Sequence, residues 1–238
     1  MLENFDVYTL EYALVRLRNR LDFLLRSKGE TGARKLFCLG PAKSGTSSLH
    51  ALFEANGLTS LHSAGNWPVA DYDCFSDRGD YRPFERYDST FPNAVFILNC
   101  RPLGSYMKSL ANHLLREGSA VPNYLVNSSL LVGQALRRSA YHERVLRYFY
   151  RKNNILIVDI EREGSISFVA SKLGLRVPEV VHHHRTKVPL SQYGHEVMKS
   201  AIMRLGGPQV LTSQLILGQN GESSITQSLL PASEHVWL

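Results

Sequence analysis

Between residues 40 and 48 the chain reads Gly-Pro-Ala-Lys-Ser-Gly-Thr-Ser-Ser, which puts two glycines, a lysine and four hydroxyl side chains on one turn-rich segment. Helix N-termini attract anions through unpaired N–H groups and the helix dipole, and glycines let backbone approach phosphate oxygens closely. The chemistry this composition suits is phosphate binding, with Ser44, Thr46, Ser47 and Ser48 as hydroxyl donors and Lys43 as a compact positive charge. The nucleotide-hydrolase loop G-x-x-x-x-G-K-[ST] is the obvious comparison. Gly40 and Gly45 have its spacing, but Thr46 stands where it needs lysine, and the lysine lies inside the loop at Lys43. The apolar run Ile155 to Val158 ends in Asp159, as a magnesium-binding strand would, although an Asp there is more often a cap or an ion-pair partner.

Positioning such a loop requires a strand before it and a helix after it. Lys35 to Leu39 is a short apolar run, read as a buried strand, and Leu49, Leu52 and Phe53 recur at helical spacing up to a stop at Gly57. Leu58 to His62 is expected to be the next strand, Ala94 to Leu98 a buried one followed by a helix, and Ile155 to Val158 another. Long helical periodicity covers 128–151, where Arg137, Arg144, Arg147 and Arg151 share a face, and a shorter helix spans Ile166 to Leu173. Residues 64–90 are rich in aromatics (Trp67, Tyr72, Phe75, Tyr81, Phe84, Tyr87) and read as a long functional loop with at most a short helix. Strands alternating with helices imply an α/β fold of three layers, a mostly parallel sheet flanked by helices. The organisation expected is an N-terminal helix within 1–33 (apolar spacing over 8–26), an α/β domain over 34–205, and a loosely packed tail over 206–238.

Two segments together resemble sulfotransferases that use 3′-phosphoadenosine 5′-phosphosulfate (PAPS). Pro41 to Leu49 is similar to the family's 5′-phosphosulfate loop. Phe91 to Leu98 leading to Arg101, with Ser109 eight residues on, is similar to its 3′-phosphate signature. The resemblance covers about residues 34–187 and implies a P-loop-like sulfotransferase architecture and transfer of a sulfuryl group from PAPS to a hydroxyl or amine acceptor. It implies that Lys43, Ser44, Gly45, Thr46, Ser47 and Ser48 hold the phosphosulfate, and that Arg101 and Ser109 hold the 3′-phosphate. Lys43 suits the oxygen bridging phosphorus and sulfur, where charge accumulates as that bond breaks, and the planar fork of Arg101 suits a phosphate. The scheme needs no metal, since lysine and backbone donors do what magnesium does in kinases.

In-line transfer also needs a group to take the acceptor proton. His62, at the end of the second expected strand, is the leading candidate, at about the distance from the loop where carbohydrate sulfotransferases of the family often place their base. Asp71 and Asp73 compete with it. His182-His183-His184 invites a metal reading, but three consecutive histidines cannot all face one ion in regular structure. Arg185 or Lys187 would be a further anion contact of the family type. The aromatic and acidic segment 64–90 is the expected acceptor site, with a carbohydrate or glycolipid favoured.

Composition frames these expectations. The chain has 238 residues, 44% hydrophobic and 20% charged, with a formal charge of +6, so a full core can be built. Nine lysines and arginines stand against two acids from Arg101 to Lys152, while six acids face three arginines from Asp71 to Thr90. A basic half suits a multiply anionic small ligand, and also a nucleic acid. The rival readings are therefore a P-loop small-molecule kinase and a non-catalytic nucleic-acid-binding domain using the arginine face. No apolar stretch nears the ~20 residues of a membrane span, the acidic start at Met1 to Asp6 does not resemble a secretory signal, and three cysteines form no CxxC pair. A cytoplasmic enzyme is expected, with peripheral membrane contact through the 8–26 helix as a minority option.

Overall fold

The computed structural model describes residues 34–62, 71–77, 79, 83–116, 124–178 and 189–208. The expected N-terminal helix, Trp67, Tyr81, the histidine run with Arg185 and Lys187, and the tail beyond 208 lie outside them. In chain order the elements are β1 (Leu36–Cys38), α1 (Thr46–Ala55), β2 (Ser60–Leu61), β3 (Cys74–Phe75), α2 (Phe84–Thr90), β4 (Val95–Cys100), α3 (Leu103–Arg116), α4 (Tyr124–Phe149), β5 (Ile155–Asp159), α5 (Ser165–Leu173) and α6 (Gln192–Arg204). The five strands form one parallel sheet in the order β2-β3-β1-β4-β5.

Period-two alternation in these strands feeds two cores, one on each face of the sheet. On one face Phe37, Phe75, Phe96, Leu98, Ile155 and Ile157 pack with Phe84 and Tyr87 of α2 and Tyr141, Val145 and Phe149 of α4. On the other, Leu36, Cys38, Cys74, Ile97, Leu156 and Val158 meet Leu49, Leu52 and Phe53 of α1 and Ile166, Val169 and Leu173 of α5. Phe37 is fully buried, and its ring stacks on Phe75, Tyr87 and Phe96 at 5.0, 4.6 and 5.4 Å. Burial of such a ring contributes about 1.5–3 kcal/mol. A third apolar cluster joins α3, α4 and α6 through Met107, Leu110, Leu131, Ala135 and Val197. The architecture is thus α/β, a parallel sheet with helices on both faces.

The segment 64–90 differs from the irregular loop expected of it. Beside α2, the short helix the reading allowed, it supplies β3, which pairs with β1 on one side and β2 on the other. Phe75, Phe84 and Tyr87 are core residues rather than an acceptor surface, with at most 3% of their area exposed. All three cysteines are buried, and none forms a disulfide. Burial pushes the Cys100 thiol up to about 12 and that of Cys74 up as well, so neither is a ready thiolate.

Candidate functional site

The chain runs outward from β1 to β2 and β3, then returns past β1 to β4 and β5. The order therefore reverses between β1 and β4, and in open parallel sheets the crevice at the carboxyl ends of such strands is where ligands bind. The segment after β1 is the glycine loop, and the segment after β4 begins with Arg101. The register sets them side by side, because Cys38 of β1 pairs with Ile97 of β4.

Buried Asn99 on β4 holds the loop shut at both ends. Its Oδ1 accepts from the Gly40 N–H at 2.8 Å, and its Nδ2 donates to the Ser44 carbonyl at 3.0 Å and to Ser44 Oγ at 2.8 Å. Ser44 Oγ in turn donates to the Pro41 carbonyl at 2.5 Å, so this serine serves the shape of the loop. Gly40 must be glycine, since a Cβ there would lie 2.3 Å from the Asn99 carbonyl oxygen. Gly45 has φ of 85°, and Lys43, which carries a side chain, has φ of 69°. A left-handed non-glycine residue is uncommon and costs energy, which the anchored loop imposes.

The loop runs into α1 with donors to spare. Among the described residues the N–H groups of Gly45, Thr46 and Ser47 and the hydroxyls of Thr46 and Ser48 make no hydrogen bond, whereas the Ser48 and Leu49 N–H groups close on the Gly45 carbonyl. That leaves three backbone donors and two hydroxyls at the positive end of a ten-residue helix.

Arg101 reaches this loop directly. Its Nη1 donates to the Lys43 carbonyl at 3.1 Å, while Nε and Nη2 both donate to Glu161 Oε1 at 2.7 Å. Behind it lies Arg138 of α4, 2% exposed, whose guanidinium donates to the Arg101 carbonyl and lies 4.7 Å over the Tyr106 ring. Burial, chiefly, pulls the Arg138 pKa down. Ser109 is half-buried in the second turn of α3 and makes no side-chain hydrogen bond among the described residues. Asp159, buried at the end of β5, accepts from the Glu161 N–H at 2.9 Å and so caps the turn beyond the strand.

On the other side of the loop stands His62. Its Nε2 and Ser47 Oγ share a hydrogen bond of 3.2 Å, and its Nδ1 and Ser76 Oγ one of 3.3 Å. His50 of α1 stacks on the His62 ring at 5.1 Å and is itself held by Ser60 Oγ at 2.8 Å and Glu54 at 3.3 Å. Burial, first, and the neighbouring His62 lower the His50 pKa, against Glu54 and Asp77, which raise it. Of the three candidate bases, His62 is the one beside the loop. Asp73 precedes β3 and lies at the amino-terminal ends of the strands, away from the loop, where its carboxylate accepts from the Thr59 N–H and hydroxyl at 2.9 and 2.6 Å. The hydroxyl bond, above all, holds its pKa down. Asp71 lies further out and is exposed. Among the described residues no three His, Cys, Asp or Glu side chains gather as metal ligands would.

The arginine face of α4 is largely tied down. Arg144 pairs with Glu85 of α2 and lies over the Phe84 ring at 5.0 Å, and Arg147 pairs with Glu143 one turn earlier. Arg151 lies beyond the helix end and is exposed. Sequence reasoning missed Asn99, Arg138 and His50. The one available signal was for Asn99, an amide inside an otherwise apolar strand.

One turn beyond Arg138, His142 is buried, and neither of its ring nitrogens has a partner among the described residues. Burial, first, and the Arg138 charge keep its pKa well below the usual histidine value. It therefore stays neutral while the unfolded chain takes up a proton below about pH 6.5, so stability falls with pH by about 1.4 kcal/mol per unit from this group. We expect His142→Leu to flatten the stability profile between about pH 6.5 and 5 without lowering stability at pH 7. Denaturant unfolding across that range checks this, and an unchanged slope would exclude His142 as the group.

No protein-family model matches the sequence, and no curated protein matches it either. Among the described residues no helix is long and apolar enough to cross a membrane. The fold and the site define an α/β protein in which a donor-rich loop and Arg101 touch at the carboxyl ends of β1 and β4.

Proposed function

We propose that the chain is a PAPS-dependent sulfotransferase of P-loop-like architecture, acting on a hydroxyl or amine acceptor, with a carbohydrate or glycolipid favoured. One observation carries the reading: the two segments that resemble the family's donor-binding motifs meet, with the Arg101 guanidinium donating to the carbonyl of Lys43. PAPS supplies an activated sulfuryl group and a nucleotide leaving group. The free N–H groups of Gly45, Thr46 and Ser47, with the Thr46 and Ser48 hydroxyls, would hold the phosphosulfate, and Arg101 with Ser109 the 3′-phosphate. Lys43 would meet the charge growing on the bridging oxygen as its bond to sulfur breaks. His62 would take the proton from the acceptor as the new oxygen–sulfur bond forms. The leaving product is 3′,5′-ADP.

The test is calorimetric titration of metal-free protein with 3′,5′-ADP, with ATP in parallel. The reading predicts binding without metal and its loss in Arg101→Ala. Binding of ATP with magnesium and not of 3′,5′-ADP would replace it with a kinase.

A further inference from the structure

The arginine assigned to the 3′-phosphate already has an anion on it. Strands β4 and β5 end together, Cys100 opposite Asp159, and the Ile160 N–H donates to the Cys100 carbonyl at 3.0 Å. Asp159 then caps the turn through the Glu161 N–H, so Glu161 is delivered beside Arg101 by the sheet register rather than by chance on a surface. One carboxylate oxygen, Oε1, takes both Nε and Nη2, the edge of the guanidinium best suited to a two-point contact, and Nη1 is turned to the Lys43 carbonyl. Every nitrogen of the fork donates once before any ligand arrives.

We propose that Glu161 is a built-in competing anion of this site, occupying Arg101 until a ligand anchored at the glycine loop brings a 3′-phosphate to displace it, and so setting how tightly the site grips that phosphate. The inference rests on the donor-binding role of Arg101 proposed above. A phosphate dianion placed beside or in place of the carboxylate meets repulsion from it, and only a ligand anchored elsewhere, at the glycine loop, is held close enough to win. A nucleotide with a bare 3′-hydroxyl leaves the Arg101–Glu161 pair intact and feels no competition.

The experiment is calorimetry with 3′,5′-ADP and 5′-AMP on the wild type, on Glu161→Gln and on Glu163→Gln, an exposed acid two residues on. Removing the Glu161 charge is expected to tighten 3′,5′-ADP roughly fivefold, the scale of a half-exposed ion pair, and to leave 5′-AMP unchanged. Glu163→Gln should leave the preference as it is. Equal tightening of both nucleotides, the same gain from Glu163→Gln, or weaker 3′,5′-ADP binding would overturn the proposal, since each would reduce Glu161 to its general field or to a support for Arg101. If the wild type prefers 3′,5′-ADP and Glu161→Gln changes nothing, the competition alone falls. If the wild type shows no preference between the nucleotides, Arg101 does not read a 3′-phosphate, and the proposed function falls with it.

Discussion

Asn99→Ala is expected to destabilise the fold by about 3 kcal/mol and to abolish nucleotide binding, because it strands buried groups rather than merely removing contacts. The Gly40 N–H, the Ser44 carbonyl and Ser44 Oγ all lose a partner that solvent cannot replace. The loop then loses the clamp that helps enforce the left-handed backbone at Lys43. Asn99→Asp makes a sharper comparison. It keeps the acceptor for Gly40 but turns a donor into a carboxylate facing the Ser44 carbonyl, so it is expected to be at least as damaging as alanine. Denaturant unfolding and 3′,5′-ADP titration on the same samples check both. Wild-type stability in either variant would mean that the loop holds its shape without this clamp.

The second large effect falls on rate rather than on stability. With PAPS as donor, Lys43→Ala is expected to slow 3′,5′-ADP formation by about 10²–10³-fold, the scale of removing one preorganised charge from a transition state. Its effect on PAPS affinity is expected to be much smaller, because in the proposed reaction the lysine meets charge that develops only as the bond breaks. Lys43→Gly separates charge from backbone. It loses the same rate, yet it relieves the strain at φ 69° and is expected to gain a few tenths to about 1 kcal/mol in stability. Equal losses of rate and affinity in Lys43→Ala would make the lysine a ground-state anchor.

The parts of this site that could be read along the chain were those where composition is extreme. Val95 to Leu98 and Ile155 to Val158 are apolar without interruption, as strands covered on both faces must be, and the glycine loop between β1 and α1 announces itself by residue type. The nearness of His62 to the loop is legible because a parallel sheet brings the carboxyl ends of its strands to one side. By contrast, β3 is two residues long in a stretch of acids and turn formers, and it exists because β1 and β2 offer edges to pair with. Phe75, Phe84 and Tyr87 looked available for a ligand because period and burial cannot be seen in an irregular segment. Arg138 was hidden for the opposite reason. An arginine among arginines reads as solvated, and only the packing of α4 over β4 turns this one inward. The Arg101–Glu161 pair depends on two strands ending level, which sequence spacing does not reveal.

The strand order has a consequence for how the chain acquires its fold. β1 is made before both of its neighbours, β3 and β4, so its hydrogen-bonding edges wait until Cys74 and Val95 have been made. The glycine loop cannot be clamped before Asn99 arrives. The region that carries the proposed chemistry is therefore assembled by non-local closure, which slows folding. Until then Leu36, Phe37 and Cys38 are an open apolar edge, the kind of segment on which a nascent chain aggregates or recruits a chaperone.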